Sequence, residues 1–202
     1  DLSFTRLIKC FNKLLIIFFS IIILNGCSSN DMKSFEKNKP ILNLFTFFEG
    51  QTIAYGIFED RFGNLRRQFR VNIIGTIKND TLILDEKFLY DDGEKASRIW
   101  KIKKEVSSNN LIKYSGSAKD IEGSATGTVS GNALNWSYDI YLNMKGNNLK
   151  VKFNDWIYQQ DENVAINRAY VSKFGIEIGS VTLVFLRGKA AKTIGPLNLS
   201  KW

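Results

Sequence analysis

The sequence has no histidine, and its 202 residues include only two cysteines and two prolines. Without histidine there is no Ser-His-Asp or Cys-His nucleophile system, no histidine general base and no histidine metal ligand. The two prolines, Pro40 and Pro196, flank a long proline-free stretch, which favours uninterrupted β ladders. From these absences we expect a β-rich protein that is not an enzyme and uses no cofactor.

The N-terminal segment has the pattern of an export signal. Three basic residues precede an apolar run from Leu14 to Leu24. A helix over this run would span about 16 Å, against roughly 30 Å for the hydrocarbon core of a bilayer. The run ends in the sequence LNGC at residues 24–27, which resembles a bacterial lipobox. We therefore predict a signal peptide at residues 1–26 and lipid attachment at Cys27; an uncleaved anchor with an incidental cysteine is the alternative.

The predicted processing defines the compartment and the charge of the remaining chain. Removing residues 1–26 takes away three basic residues and one acidic residue, so the net charge falls from +8 to +6. Ser28 follows the cysteine, where an aspartate often retains lipoproteins on the inner membrane. This favours lipid anchoring at the outer membrane with the domain facing the periplasm, the inner membrane being the alternative. An exported basic protein rarely meets nucleic acid, so we expect no nucleic-acid partner.

Beyond the cysteine, the chain divides into a polar tether at residues 27–39 and a β-rich domain. Apolar and polar residues alternate from Leu134 to Met144, where the even-numbered positions are apolar. One-sided strands joined by short turns give a meander, and a long meander usually closes because closure removes exposed edges. We predict an all-β fold at residues 40–188, a single antiparallel up-and-down barrel of lipocalin or calycin type. A two-sheet β-sandwich is the alternative.

The same alternation places charged residues on apolar strand faces. If one hairpin turns on residues 161–162, Asp155 and Arg168 are direct cross-strand neighbours. If a three-residue loop containing a glycine joins two earlier strands, Glu86 lies diagonally from Arg98. Buried charges are costly unless they are paired, so mutual pairing is one interpretation. The other is that Arg98 or Arg168, with Glu86 and Asp155 nearby, holds a ligand head group.

Three functions are compatible with these patterns. The first is binding or carrying a lipid, such as a fatty acid, with Tyr114, Trp136 and Tyr138 lining the apolar part of the barrel; ordinary core packing is the more common reason for such aromatics. Small residues between Gly116 and Gly131 leave either room for a ligand or close backbone approach. The second function is that of a structural or partner-binding lipoprotein with a packed core. The third is catalysis by carboxylates.

Several segments of the domain resemble a family of uncharacterised bacterial lipoproteins, domain of unknown function 3833. They are GIFEDRFG at 56–63, YDDGE at 90–94 with RIW at 98–100, GNAL at 131–134, DWIY at 155–158, and NRA at 167–169 with SKFG at 172–175. The resemblance covers residues 41–186, leaves 189–202 as a C-terminal extension, and departs from the family at Asn154, where an acidic residue is expected. It implies a Gram-negative envelope lipoprotein with a lipocalin-like barrel, and no activity or site residue is carried over from it.

Overall fold

A computed structural model of the protein describes residues 31–106, 112–144 and 147–202. The predicted signal peptide, Cys27 and the first part of the predicted tether lie outside the described residues and stay predictions. Residues from Met32 to Trp202 form one unit that contains the whole sheet and its hydrophobic core. No helix in the described ranges is long and apolar enough to cross a membrane.

Ten antiparallel strands make up most of this unit. They are β1 (Gly50–Asp60), β2 (Leu65–Lys78), β3 (Thr81–Tyr90), β4 (Lys95–Val106), β5 (Ile112–Ser117), β6 (Ile121–Ser130), β7 (Ala133–Met144), β8 (Asn147–Gln159), β9 (Val164–Lys173) and β10 (Ile176–Arg187). Each strand pairs with its sequence neighbours, and β1 also pairs with β10, so the sheet is a closed barrel. The predicted up-and-down barrel is confirmed, and the alternative of two packed sheets is wrong.

Alternation along the strands sets which side chains face the interior. In β7, Trp136, Tyr138 and Ile140 are buried inside the barrel, as the sequence predicts, while Tyr141 is exposed. In β2, Phe69 and the apolar residues two and four positions after it are buried on the inner face. The interior of these strands therefore follows directly from the period of two in the sequence.

The hairpin between β8 and β9 differs from the prediction by one residue. The Gln160 N–H donates to the Val164 carbonyl at 2.9 Å, so these two residues close the hairpin and residues 161–163 form a three-residue loop. The Asp161 side chain holds this loop by accepting hydrogen bonds from the backbone N–H groups of Asn163 and Val164, at 2.7 and 2.9 Å. Arg168 consequently pairs with Trp156, not with the predicted Asp155. A slip of one residue moves every side chain to the other face, so Arg168 points outward.

One end of the barrel is closed by the segment before β1. A short helix, α1 (Leu44–Phe48), begins after Asn43, whose side-chain oxygen accepts a hydrogen bond from the Phe45 N–H at 3.0 Å. Leu44, Phe47 and Phe48 are buried in the core, and Phe47 is only 2% exposed. The helix therefore closes this end of the barrel with apolar side chains.

The two chain segments that flank the barrel also contact its wall. In the predicted tether, residues Met32–Phe35 form a 3₁₀ helix, and the Phe35 ring lies 5.9 Å from Trp156 and 5.7 Å from Tyr158. The predicted C-terminal extension begins with α2 (Gly188–Ile194). Its buried Ala191 packs with Leu197 on Ile53, which is 0% exposed on the outer face of β1.

Candidate ligand-binding site

The interior of the barrel holds a cavity of about 690 Å³. Its floor is formed by Leu44 and Phe48 of the closing helix, and its wall reaches Arg67, Glu94 and Asp120 at the opposite end. The Glu94 side chain is 53% exposed, so this end of the cavity meets solvent. Pockets for small molecules have volumes of roughly 300–1,000 Å³, and this cavity lies within that range.

Aromatic rings form much of the cavity wall. The Trp100 ring lies 5.8 Å from that of Trp136 and 5.3 Å from that of Tyr138, both edge to face. Tyr138 also stacks on Phe153 at 5.4 Å. These inward positions of Trp136 and Tyr138 agree with the sequence analysis, whereas a role for them in ligand binding stays a prediction.

The small residues of β5 and β6 make room for Trp136. A Cβ atom at Gly127 would lie 2.4 Å from the Trp136 ring, and one at Gly116 would lie 2.7 Å from it. Both distances are too short for real contacts, so glycine at these positions allows the indole to approach the two strands closely. The sequence left two interpretations of these small residues, room for a ligand or close approach to the backbone. At Gly116 and Gly127 the structure favours close approach, by the Trp136 ring.

Tyr114 does not line the cavity as predicted. Its side chain is buried, and its hydroxyl lies 3.4 Å from the Leu44 N–H, from which it accepts a hydrogen bond. Its ring stacks on Phe45 at 6.1 Å. The closing helix lies between Tyr114 and the cavity, so Tyr114 packs against the helix and does not line the cavity.

Arg98 lines the cavity, and its charge is already paired with a carboxylate of the protein. Its Nε donates to Asp120 at 3.0 Å, and its Nη2 lies 2.9 Å from the same carboxylate. Two hydrogen bonds to one carboxylate give a strong, oriented ion pair. Sequence analysis missed Asp120 because it lies in a turn cluster between β5 and β6, where an aspartate is expected for local reasons.

Glu86 is the nearest cross-strand neighbour of Arg98. The two residues lie directly opposite each other and not diagonally, which corrects the expected geometry. The predicted three-residue loop is present, since the Tyr90 N–H donates to the Glu94 carbonyl at 2.9 Å and Gly93 has a φ of 84°. Burial raises the pKa of the Glu86 carboxyl to about 7, although the charge of Arg98 opposes this effect.

Asp155 lies deeper in the cavity wall and is 6% exposed. The Asn167 side-chain N–H donates to its Oδ1 at 2.6 Å. Burial raises the pKa of Asp155 to about 6, while Asn167, Tyr138 and Arg98 lower it. Tyr138 is close enough to affect this pKa, yet Asp155 Oδ2 accepts no hydrogen bond from the described part of the protein. Sequence analysis missed Asn167 because the predicted register placed it outside.

Arg168, the other predicted head-group ligand, is on the outer wall of the barrel. Its Nη1 donates to the Thr182 hydroxyl at 2.7 Å and lies 3.4 Å from Glu59 Oε2. Its side chain is 40% exposed. A guanidinium in this position cannot reach a molecule inside the barrel, so the prediction for Arg168 is wrong.

The assembled site combines an apolar chamber with one polar cluster. The cluster contains Glu86, Arg98, Asp120, Tyr138, Asp155 and Asn167. Apolar walls provide affinity for a hydrophobic body, and a few polar groups fix its orientation. Within the described ranges, no group of three or more acidic or cysteine side chains is placed to hold a metal ion.

Comparisons with known proteins agree with the observed fold. The family model DUF3833, a protein of unknown function, matches residues 21–187, and no curated protein matches the chain. The S-type phycobiliprotein lyase CPES from Guillardia theta superposes with a TM-score of 0.51 and 10% identity, over 72% of this chain and 90% of the lyase. A second structure, EF1p2_mFAP2b bound to DFHBI, gives a TM-score of 0.38 and 12% identity, over 70% of this chain and 94% of the matched chain. The likeness to the lyase shows a shared fold.

Proposed function

This chain belongs to the family of proteins of unknown function DUF3833, as its sequence predicts, and we propose that it binds a small hydrophobic molecule inside its barrel. The observation that carries this proposal is the cavity of about 690 Å³, lined by aromatic rings and open past Glu94 at one end. A packed core, which the structural alternative requires, would leave no such space. We infer no catalytic step, and the expectation that the protein is not an enzyme stays a prediction.

We also propose that the protein acts at the bacterial cell envelope, attached to a membrane through lipid on Cys27. The support is the sequence alone, in which a short apolar run ends in a lipobox. Several acyl chains on one residue anchor a protein stably. The proposed location is the outer membrane, with the barrel facing the periplasm. In this arrangement the barrel would meet hydrophobic molecules that pass through or leave the membrane.

Native mass spectrometry tests the binding proposal. Residues 31–202, exported to a bacterial periplasm with a cleavable signal and purified without detergent, are expected to carry an added mass that denaturation removes. Ala96 lines the cavity at its solvent-exposed end, whereas the next residue, Ser97, is exposed on the opposite face of β4. Ala96→Trp is therefore expected to reduce occupancy at least tenfold, and Ser97→Trp to leave it unchanged. A clean apo mass that takes up no added hydrophobic compound would refute ligand binding.

Metabolic labelling tests the anchor. The full chain, expressed in bacteria fed an alkyne-tagged fatty acid, is expected to become labelled and to fractionate with the outer membrane. Cys27→Ser is expected to abolish both, whereas Cys10→Ser should affect neither. Labelling of the Cys27→Ser chain, or no labelling of the parent chain, would contradict lipidation.

Docking of a partner protein is the second candidate function, and it rests on a separate observation. Two hairpin tips at the open end present large apolar side chains to solvent, with Phe62 79% and Phe174 92% exposed. Exposed apolar clusters often mark interaction sites. A photoreactive residue at position 174 should then crosslink an envelope protein in cells, whereas one at Glu162, at the other end of the barrel, should not. Equal crosslinking at both positions would argue against a specific partner.

A further inference from the structure

The cations that face the cavity are already paired with carboxylates of the protein. Arg67, near the rim, binds Asp92 at 2.9 Å and also pairs with Glu94. Arg98 binds Asp120 through two nitrogens. The charge of each guanidinium is therefore already balanced by a carboxylate of the protein, although the Arg67 Nε near the rim has no hydrogen-bond partner among the described residues.

Two cavity carboxyls have no such partner. Glu86 and Asp155 line the cavity, and within the described ranges neither lies in an ion pair with a lysine or arginine. The Asp155 Oδ1 accepts a hydrogen bond from the Asn167 side chain, which is neutral. An anionic group removed from water needs compensation by a cation or by hydrogen-bond donors. The cavity is thus acidic after its internal pairs are counted.

The unpaired buried atoms in this cluster are all acceptors. Asp155 Oδ2 and Asn167 Oδ1 are buried and receive no hydrogen bond from a described protein group. The two residues are 6% and 4% exposed, and both line the cavity. Buried polar atoms in native proteins are almost always satisfied. The group that completes this cluster must therefore donate hydrogen bonds.

We propose that the molecule held in the barrel carries a basic, cationic nitrogen on a hydrophobic body, and that Glu86 and Asp155 bind this nitrogen. The inference rests on the proposed binding function and specifies its ligand class. An ammonium group supplies both the positive charge and the N–H donors that the two carboxyls and Asn167 lack. The aromatic rings of Trp100 and Tyr138, which also line the cavity, offer faces on which a cation can rest.

The proposal reverses the expectation of a fatty-acid ligand. A carboxylate entering the cavity would compete with Asp120 for Arg98 and would face Glu86 and Asp155. Like charges within a cavity of low dielectric repel strongly. The pKa values of both carboxyls are already raised by burial, which agrees with a shortage of positive charge around them.

Three probes with the same apolar tail and different heads test the inference. Decan-1-amine, decan-1-ol and decanoic acid are titrated calorimetrically into residues 31–202 at pH 8, at concentrations where each is dissolved as a monomer. The amine is expected to bind at least tenfold more tightly than the alcohol, and the alcohol more tightly than the acid. The double variant Glu86→Gln, Asp155→Asn is expected to lose the preference for the amine and to keep its affinity for the alcohol.

A charge change on the outer face of the barrel provides the control. Asp85 is adjacent to Glu86 in β3 and points to the opposite face, so Asp85→Asn removes the same charge without touching the cavity. This variant is expected to keep the full preference for the amine. Circular dichroism of all variants establishes that the barrel is folded.

The other outcomes separate the inference from the proposed function. If the alcohol and the acid bind as tightly as the amine, the ligand class is wrong while small-molecule binding stands. If the preference for the amine survives in the Glu86, Asp155 double variant, the nitrogen binds elsewhere and the proposal is overturned. If none of the three probes binds, the binding function itself is contradicted.

Discussion

Replacing Glu86 with glutamine should stabilise the protein increasingly as the pH rises above about 4.5, with the full effect at neutral to alkaline pH. In the unfolded chain the carboxyl ionises near 4.5, whereas burial in the cavity raises its pKa to about 7. Between these two pH values the folded protein holds a proton that the unfolded chain has released. The free energy of unfolding therefore falls as the pH rises through this window, and the loss is complete above about pH 7.

The size of the effect follows from the same two values. A pKa difference between 4.5 and about 7 corresponds to about 3 kcal/mol, at roughly 1.36 kcal/mol for each pKa unit. Glu86→Gln keeps the shape of the side chain and removes the charge. We expect the variant to be about 2–3 kcal/mol more stable than the parent at pH 8 and equally stable at pH 4.

Urea denaturation followed by tryptophan fluorescence measures this difference. Residues 31–202 and the Glu86→Gln variant are unfolded at pH 4 and at pH 8, and the midpoints are compared at equal slope. Glu162→Gln is the matched control, because Glu162 is exposed in the β8–β9 loop. If Glu86→Gln gives the same gain at both pH values, or none at pH 8, the carboxyl is not held in the desolvated position that the structure gives it.

Three further changes test other parts of the structure by urea denaturation. Gly127→Ala should destabilise the protein by about 1–3 kcal/mol, because the new methyl group overlaps the Trp136 ring. A smaller aromatic ring at position 136 should restore part of this loss. Phe47→Ala should cost about 3–5 kcal/mol, because the side chain is 2% exposed in the floor of the barrel. Arg168→Met should cost less than about 1 kcal/mol and leave the affinity for the amine probe unchanged, because its ion pair with Glu59 is partly exposed on the outer wall. A large loss of affinity in that variant would show that Arg168 reaches the cavity.

The expected stabilisation by Glu86→Gln has a functional meaning. A protein that keeps two poorly compensated carboxyls in an apolar chamber forgoes stability that an amide would restore. Such groups are retained where they contribute to ligand binding, and carboxyls with shifted pKa values in a cavity are typical of functional sites. The stability measurement and the probe titration are therefore two independent tests that both involve the Glu86 carboxyl.

The site could be predicted from sequence wherever alternation alone decides the face of a strand. Glu86, Arg98, Trp136, Tyr138 and Asp155 all lie on the inner wall, as their parity with apolar neighbours indicates. The same reasoning failed in β9, because both faces of that strand carry apolar residues and the period gives no preference. There, inward-facing Ala165 and Ala169 are small, and the larger side chains lie outside.

The partner of Arg98 illustrates a second limit. Asp120 is 22 residues away in the chain, in the turn that follows β5, the strand paired with the β4 strand that carries Arg98. Nothing in the local pattern distinguishes it from an aspartate that simply favours a turn. Its proximity to Arg98 follows from the register of β4 and β5, in which Lys101 lies opposite Ser117, and it places a carboxylate against the guanidinium.

The amino-acid sequence alone determined the class of this protein: period-two strands, short polar turns and a near absence of proline specify a closed meander, since each strand has one face to bury. Tertiary structure decided the rest. The length of one loop set the register of β9 and turned Arg168 outward, and the closing helix placed Tyr114 beneath the floor. Whether the interior is filled or hollow depends on the summed volumes of side chains from ten strands, and no single segment of the sequence encodes that sum.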